Sequence, residues 1–409
     1  MLSPEAAWNL IEERLPDRED CLGRSEKVHR SEAVGRVLAS SVRATVDVPM
    51  ADVSAMDGYA LSGGLAEGAA PVVGTAAAGR PVDIELAPGE AAKIMTGAVV
   101  PPGTDRVVPV EQTRDTGAQD SVRISKDVET GAHIRLRGEV VRTGDRLMAA
   151  GSLLTSGAIS TLASHGISEV DVVQAPTVAT VTTGDEVVPP ETVPGPGQLR
   201  DSNGPFLLAA GRNLVPSLTF RHLGTAIDEH GDLEDRIRSG LGNDVLLLTG
   251  GVSMGDFDYV GEILDRLGCS LLFHKVAIQP GKPLLVATYA MGSRRPTWIF
   301  GLPGNPASVM VTYWLFVRPV LRRLLGHVDE LWHGSLSAEL AADLRGSKGR
   351  DRFLPAALDF RDGKIYATPR PPVGSHDAGA YGRGNALLRI RPNQPPATAG
   401  APCEVLLVD

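Results

Sequence analysis

Three times between Val245 and Pro306 the chain runs a short apolar segment into a glycine-rich, charged turn: VLLLTGGVSMGDFDY, HKVAIQPGKPLL and WIFGLPGNPAS. Near-continuous apolar runs of this length read as strands buried on both faces of a parallel sheet. In open α/β sheets the loops leaving the carboxyl ends of the strands converge in the crevice where ligands bind. The polar residues on these turns are therefore the first candidates for chemistry: Ser253, Asp256, Asp258, Lys275, Lys282, Asn305 and Ser308. That mixture of acids and bases suits an anion held with a metal ion better than it suits an apolar ligand.

At 409 residues the chain exceeds a single core, which stops growing at about 250–300 residues, so two to four domains are expected. Its net charge of -9 excludes broad nucleic-acid binding and docking on an anionic membrane, since both need a basic face. An anionic substrate must then meet a local basic cluster. Cys21, Cys269 and Cys403 are too few and too scattered for a disulfide framework or a CxxC metal site, which fits a reducing cytoplasm. The segment MLSPEAAWNLIEERL reads as a helix with Ser3 as N-cap and Pro4 at its first position, and it lacks the basic and apolar regions of a signal peptide. The most apolar later stretch, VMVTYWLFVRPVLRRLL, is cut by Arg318 and Pro319 short of the roughly 20 residues a membrane span needs.

From about Thr177 to residue 326 predicted strands and helices alternate, the pattern of a doubly wound α/β domain. The helix expected after Asp258 places Val260, Ile263, Leu264 and Leu267 on one face. Residues 46–146 instead read as short β runs (PVVGTAA, AAKIMTGAV, DRVVPVE, SVRISKD) broken by Gly, Pro and Asp, and so as an inserted β-rich domain. Residues 1–45 with 147–176 supply an N-terminal helix and a connecting layer, in which SGAISTLASHGI reads as a helix ending at Gly166. Residues 327–409 return to short β runs, read as a C-terminal barrel or sandwich. The Pro/Gly stretch at 188–198 reads as an exposed loop.

Three constellations carry the chemistry. In LTGGVSMGDFDY, Gly250 and Gly251 let backbone approach a ligand, and successive N–H groups there can form an anion site. Asp256 and Asp258 serve either as helix caps or as ligand and metal contacts. In TTGDEVV, Asp185 and Glu186 offer oxygen ligands of the kind Mg²⁺ takes. Among Asp201, Ser202 and Asn203, in DSNG, one must cap the following helix. The third pairs Lys275 with Gly281 and Lys282 in HKVAIQPGKP and adds LPGNPAS, where Asn305 reads as an N-cap before Pro306, leaving free N–H groups in the next turn. GxxxxGK[ST], GxGxxG after a strand, HExxH and GxSxG do not occur, so P-loop, dinucleotide, catalytic-zinc and serine-nucleophile chemistry lack support. His376, in GSHD, is a minor candidate.

Taken together, SAMDGYA (54–60), KIMTGA (93–98), TTGDE (182–186), DSNG (201–204), TGGVSMGDFDY (249–259), KVAIQPGKP (275–283) and GLPGNPAS (301–308) resemble the molybdopterin molybdenumtransferases, the MoeA family that includes the E domain of gephyrin. The resemblance spans nearly the whole chain in the family's order. It implies a four-part, elongated, homodimeric cytoplasmic enzyme whose α/β domain binds the pterin dithiolene. That enzyme would consume adenylylated molybdopterin and molybdate, its co-substrate, and yield molybdenum cofactor and AMP, with Mg²⁺ assisting. The resemblance also suggests transient contact with molybdopterin adenylyltransferase and with molybdoenzymes.

By motif, the resemblance assigns catalytic roles to Asp57, Thr96, Glu186, Asp228 and Asp258, with Asp57 and Thr96 completing the site of the partner subunit. Glu186, Asp256 and Asp258 would hold the metal. Ser202, Asn203, Gly250, Gly251, Ser253, Lys275, Lys282, Pro303, Asn305, Pro306, Ser308, Arg352 and Ser375 would bind substrate, and molybdate, a tetrahedral dianion, suits Lys275, Ser308, Arg352 and Ser375. One departure stands out, because many relatives carry a lysine where this chain has Gln279. Two other readings compete: a gephyrin-like scaffold without turnover, and a nucleotide pyrophosphatase of the competence-damage family, which leaves SAMDGYA and KIMTGA unexplained.

Overall fold

The computed structural model describes residues 1–63, 68–80, 82–116, 120–126, 128–216, 218–227, 230–251, 259–290, 292, 295–328, 332 and 334–408. They form two compact units, one comprising Met1–Ser40, Ala150–Ile159 and Glu169–Asp409, the other Ser41–Ala149 and Ser160–Ser168.

The first unit is organised by an α/β sheet. Its elements follow in chain order: β1 (Val178–Thr183), α1 (Asn203–Leu214), β2 (Phe220–Ala226), α2 (His230–Gly240), β3 (Val245–Thr249), α3 (Val260–Arg266), β4 (Ser270–His274), β5 (Ile278–Gln279), β6 (Leu285–Tyr289), β7 (Thr297–Leu302) and α4 (Pro306–Thr312). The sheet runs β2-β1-β3-β7-β6-β4. Strands β1, β2, β3 and β7 are parallel. Every residue of β1, β3 and β7 is buried, as their unbroken apolar sequence requires. Burying each Val or Leu of β3 contributes about 1.5–3 kcal/mol.

The sheet is not wholly parallel, as the apolar runs had suggested. Strand β6 is antiparallel to β7 and to β4. Residues 290–296, which join β6 to β7, are fewer than the dozen or so that a crossover to a parallel neighbour needs. The reversal still leaves the start of β6 at the same edge as the ends of β1, β3 and β7. Strand β5 leaves this sheet altogether and pairs with the C-terminal barrel.

Helix α3 buries Val260, Ile263 and Leu264 as its spacing predicts. From Pro306, where Asn305 reads as an N-cap, the chain forms α4, a π-helical turn at Tyr313–Val317 and a further helix at Arg318–Leu324. Pro319 has no N–H to donate to the carbonyl four residues back. The indole of Trp332 takes that acceptor, donating to Leu315 O at 3.1 Å. At the N-terminus the Ser3 hydroxyl accepts from Ala6 N–H at 3.1 Å, with Pro4 beginning the helix, and Ala7, Trp8 and Ile11 enter the main core.

The C-terminal strands are β8 (Ser335–Leu340), β9 (Asp351–Arg361), β10 (Lys364–Pro369), β11 (Ala386–Ile390) and β12 (Pro402–Leu407). They run β9-β10-β8-β12-β11, and β11 pairs back onto β9, which closes a five-stranded barrel. Closure leaves β9 with one outer partner, β5, in the register Gln279 opposite Arg352.

The second unit is β-rich, as expected. Its six-stranded sheet is built from Arg106–Pro109, Gly58–Leu61, Ala91–Ile94, Gly68–Ala76, Ser121–Ile124 and Thr113–Asp115 in that order, over a core that includes Ala60, Ile94 and Val107.

Candidate functional site

Three strand ends of the α/β sheet are tied together. The Thr183 hydroxyl donates to Thr249 O at 3.3 Å, and Gly250 N–H donates to Leu302 O at 3.0 Å. Gly250 has φ +93°, and a Cβ there would lie 2.5 Å from Thr183 Oγ1, so only glycine fits. These ends floor a cavity of about 600 Å³ lined by residues that include Thr182, Glu186, Asp201, Ser202, Asn203, Thr249, Gly250, Gly251, Gly304, Asn305, Pro306 and His376.

Glu186 reaches this cavity through its turn. Val187 N–H donates to Gly184 O and Leu199 N–H to Glu186 O, at 3.0 and 2.8 Å. The carboxylate folds back over Gly184, where a Cβ would lie 2.7 Å from Oε2. Asp185 is not among the lining residues.

Among the three capping candidates before α1, Asp201 does the work. Its Oδ1 accepts the N–H groups of Asn203 and Gly204 at 2.9 and 3.0 Å, while Ser202 makes no side-chain cap bond. Asn203 is thus released from capping. Its Nδ2 donates to Gly304 O at 2.8 Å, and its Oδ1 is buried without a hydrogen-bond partner. Thr249 Oγ1 is likewise buried and unpartnered. Buried polar atoms ordinarily find partners. Both residues line this cavity, so each atom is a candidate partner for a ligand's polar groups, Asn203 Oδ1 as an acceptor and the Thr249 hydroxyl as donor or acceptor.

A second cavity, of about 440 Å³, adjoins through Asn305. Gln279, Lys282, Pro303, Ser308, Arg350, Arg352, Ser375 and Tyr381 are among the residues that line it. Its lining holds three cations, Lys282, Arg350 and Arg352, and no carboxylate, whereas the first cavity carries the carboxylates Glu186 and Asp201 together with Arg200 and His376. Arg352 comes to it from β9, opposite Gln279, and donates to Gly346 O at 3.2 Å. Burial pushes the Tyr381 phenol far above its ordinary pKa despite nearby Arg352, and the neutral hydroxyl donates to Phe353 O at 3.1 Å.

The structure therefore gathers Glu186, Ser202, Asn203, Gly250, Gly251, Asn305 and Pro306 at one cavity, and Lys282, Pro303, Asn305, Ser308, Arg352 and Ser375 at the other. Lys275 lines neither. It is half-buried with φ +78°, and its backbone N–H donates to Leu284 O at 2.8 Å at the root of the loop that carries Lys282. Ser253, Asp256, Asp258 and Asp228 lie outside the described residues. Asp57 and Thr96 lie in the β-rich unit and bond to each other. Arg350 was missed in the sequence reading. Its i, i+2 spacing from Arg352 in GRDRF is the signal that places both on one side of an extended segment. Among the described residues no group of three or more His, Cys, Asp or Glu is placed to hold a metal ion, and no helix is long and apolar enough to cross a membrane.

Known families match along the chain. The MoeA N-terminal region (domain I and II) matches residues 2–166, the probable molybdopterin binding domain 179–323, and the MoeA C-terminal region (domain IV) 337–408. The chain is 37% identical over 358 residues to a molybdopterin molybdenumtransferase of Nostoc sp., covering 85% of this chain and 80% of that one. It is 31% identical over 392 residues to one from Staphylococcus aureus strain Mu50, covering 92% and 90%. The molybdopterin biosynthesis MoeA protein from Pyrococcus horikosii superposes with a TM-score of 0.78 at 28% identity, over 100% of this chain and 99% of that one. Successive family regions and relatives above 30% identity along most of its length show that the chain belongs to the MoeA family of molybdopterin molybdenumtransferases, transferases of molybdenum cofactor biosynthesis.

Proposed function

We propose that this chain inserts molybdate into adenylylated molybdopterin with release of AMP, the oxyanion resting in the basic cavity and the pterin substrate in the carboxylate-lined one. The observation that carries this reading is a cavity lined by Lys282, Arg350 and Arg352 without a carboxylate, adjoining through Asn305 a cavity that holds Glu186.

Lys282, Arg350 and Arg352 supply charge-assisted hydrogen bonds to the molybdate dianion, and the Ser308 and Ser375 hydroxyls supply neutral ones. Lys275 acts indirectly, by holding the root of the Lys282 loop. In the other cavity Asn203 Oδ1 and Thr249 Oγ1 accept pterin N–H groups, while Ser202, Pro306 and the Gly250-Gly251 backbone fit against the substrate. As the reaction balances, two dithiolene thiols displace one molybdate oxygen, which leaves as water with the thiol protons. One water adds to an anhydride phosphorus as its P–O bond breaks and AMP departs.

The hard carboxylate oxygens of Glu186 fit Mg²⁺, which binds through one or two carboxylates together with substrate phosphates. When bound there, it would neutralise phosphate charge and polarise the bond to be broken. By resemblance Asp256 and Asp258 join Glu186 as its ligands, and Asp228 joins the catalytic set. Asp201 is committed to its helix cap.

The chain works as a homodimer in this reading, with Asp57 and Thr96 completing the partner's site. Met50, Met56, Met95, Val99, Leu136 and Val140 are exposed apolar side chains on the three segments around that pair, and such patches mark association surfaces. Ser54 N–H to Ala98 O and Gly138 N–H to Pro49 O knit those segments together. The three free cysteines support a cytoplasmic setting. Transient contact with the adenylyltransferase that makes the substrate, and with the molybdoenzymes that take the product, follows from the same reading.

The test is AMP release from adenylylated molybdopterin with and without molybdate. Release that requires molybdate and Mg²⁺ supports the reading; release indifferent to molybdate defeats it.

A further inference from the structure

The wall between the two cavities is thin and is built from two segments. On one, Pro303 and Ser308 line the basic cavity while Gly304 and Pro306 line the carboxylate cavity. On the other, Ser375 lines the first and His376 the second. Ala307 N–H donates to Ser375 O at 3.2 Å and ties the two segments together. Among the described residues, Asn305 alone lines both cavities.

Asn305 occupies the N-cap of α4, and its backbone carbonyl accepts from Ser308 and Val309 N–H at 2.9 and 3.1 Å. An asparagine at this position ordinarily spends its side chain on the cap. Here the carboxamide makes no capping bond. Its two N–H donors and one acceptor oxygen remain for ligands on either side.

We infer that the Asn305 carboxamide is a positioning residue that couples the cavities, so that occupancy of one strengthens binding in the other; this rests on the functional reading above. Whichever ligand arrives first fixes the carboxamide rotamer. The second then binds without that ordering cost, which is positive coupling without any larger conformational change. Ordering one such side chain corresponds to about two- to tenfold in affinity.

The experiment is calorimetric titration of molybdate into the full chain, without AMP and with saturating AMP and Mg²⁺, for the wild type, Asn305→Ala and Asn305→Ser. The ratio of the two molybdate affinities is the readout, because a loss of general fit changes both affinities and leaves their ratio alone. The serine variant keeps a good N-cap residue while being too short to reach both ligands, so it controls for folding. Expected is molybdate binding about two- to tenfold tighter with AMP in the wild type, and a ratio near one in both variants. A wild-type ratio that survives both substitutions, or a wild-type ratio of one while both probes bind, overturns this inference alone. A wild-type chain that binds neither probe overturns the functional reading and takes this inference with it.

Discussion

The Asp57 carboxylate accepts both the backbone N–H and the hydroxyl of Thr96, at 2.7 and 2.9 Å, and both bonds fall on Oδ1. These bonds, the backbone one foremost, hold the carboxyl below its ordinary pKa, so it is anionic throughout the neutral range. If the pair completes a partner's site, Asp57→Asn and Glu186→Gln should each inactivate the homodimer. Mixing the two variants should then rebuild one intact site per heterodimer, restoring roughly half the wild-type rate per heterodimer. Molybdate-dependent AMP release on mixing measures this; no restoration places Asp57 and Glu186 in the same subunit's site or shows no shared site at all.

Glu186 and the basic cluster should separate on mutation. Glu186→Gln is expected to slow AMP release by about a hundredfold or more while molybdate affinity stays near wild type, since charge stabilisation at the reacting phosphate is lost and the oxyanion contacts remain. Asp258→Asn should behave alike. Calorimetry with molybdate alongside an AMP-release assay distinguishes the two effects, and joint loss of both would refute the division of labour.

At the basic cavity, charge should set affinity. Arg350→Ala removes one of three lining cations, and a charge-assisted bond contributes about 1.5–3 kcal/mol, so molybdate binding should weaken by about tenfold or more. Gln279→Lys adds a fourth cation and should tighten it. Gln279 is exposed and lines the cavity, so an unchanged affinity in that variant would mean the new ammonium turns away into solvent.

Gly250→Ala should damage both stability and binding. The added methyl meets Thr183 Oγ1 at 2.5 Å and Thr183 O at 2.9 Å, on a backbone at φ +93°. The expected cost is about 1–3 kcal/mol, read as a lower urea midpoint, with pterin affinity falling in parallel. A variant as stable as wild type would show that the strand ends have room to separate.

The β-rich unit carries an acid-sensitive contact. Asp47 accepts from Thr143 N–H and its hydroxyl, both at 2.8 Å, and from Arg137 Nε at 2.6 Å, which hold its pKa at about 2. Because the folded pKa lies below that of the unfolded chain, this contact stabilises above about pH 4 and is lost as pH falls toward 2. Melting temperatures of wild type and Asp47→Asn should therefore differ by a constant amount near neutrality and converge below about pH 4. A gap that persists into acid would trace the effect to packing.

Much of this protein was settled by sequence alone. The unbroken apolar runs at 178–183, 245–249 and 297–302 could only be strands covered on both faces, and the turns that follow them had to meet at one edge. Seven motifs in family order fixed the reaction class. What local pattern could not supply was long-range pairing: which way β6 runs, that β5 abandons its neighbours for the barrel, and that Gln279 and Arg352 thereby come side by side. Nor could it assign the cap before α1, because Asp201, Ser202 and Asn203 are all good capping residues, and only the packed helix start shows Asp201 bonded and Asn203 Oδ1 left over. The grouping of Lys282, Arg350 and Arg352 at one cavity and of Glu186 and Asp201 at the other is likewise a tertiary property. It depends on which strand ends the fold brings into contact, and residues as far apart as 186 and 376 share a wall only after the core has closed.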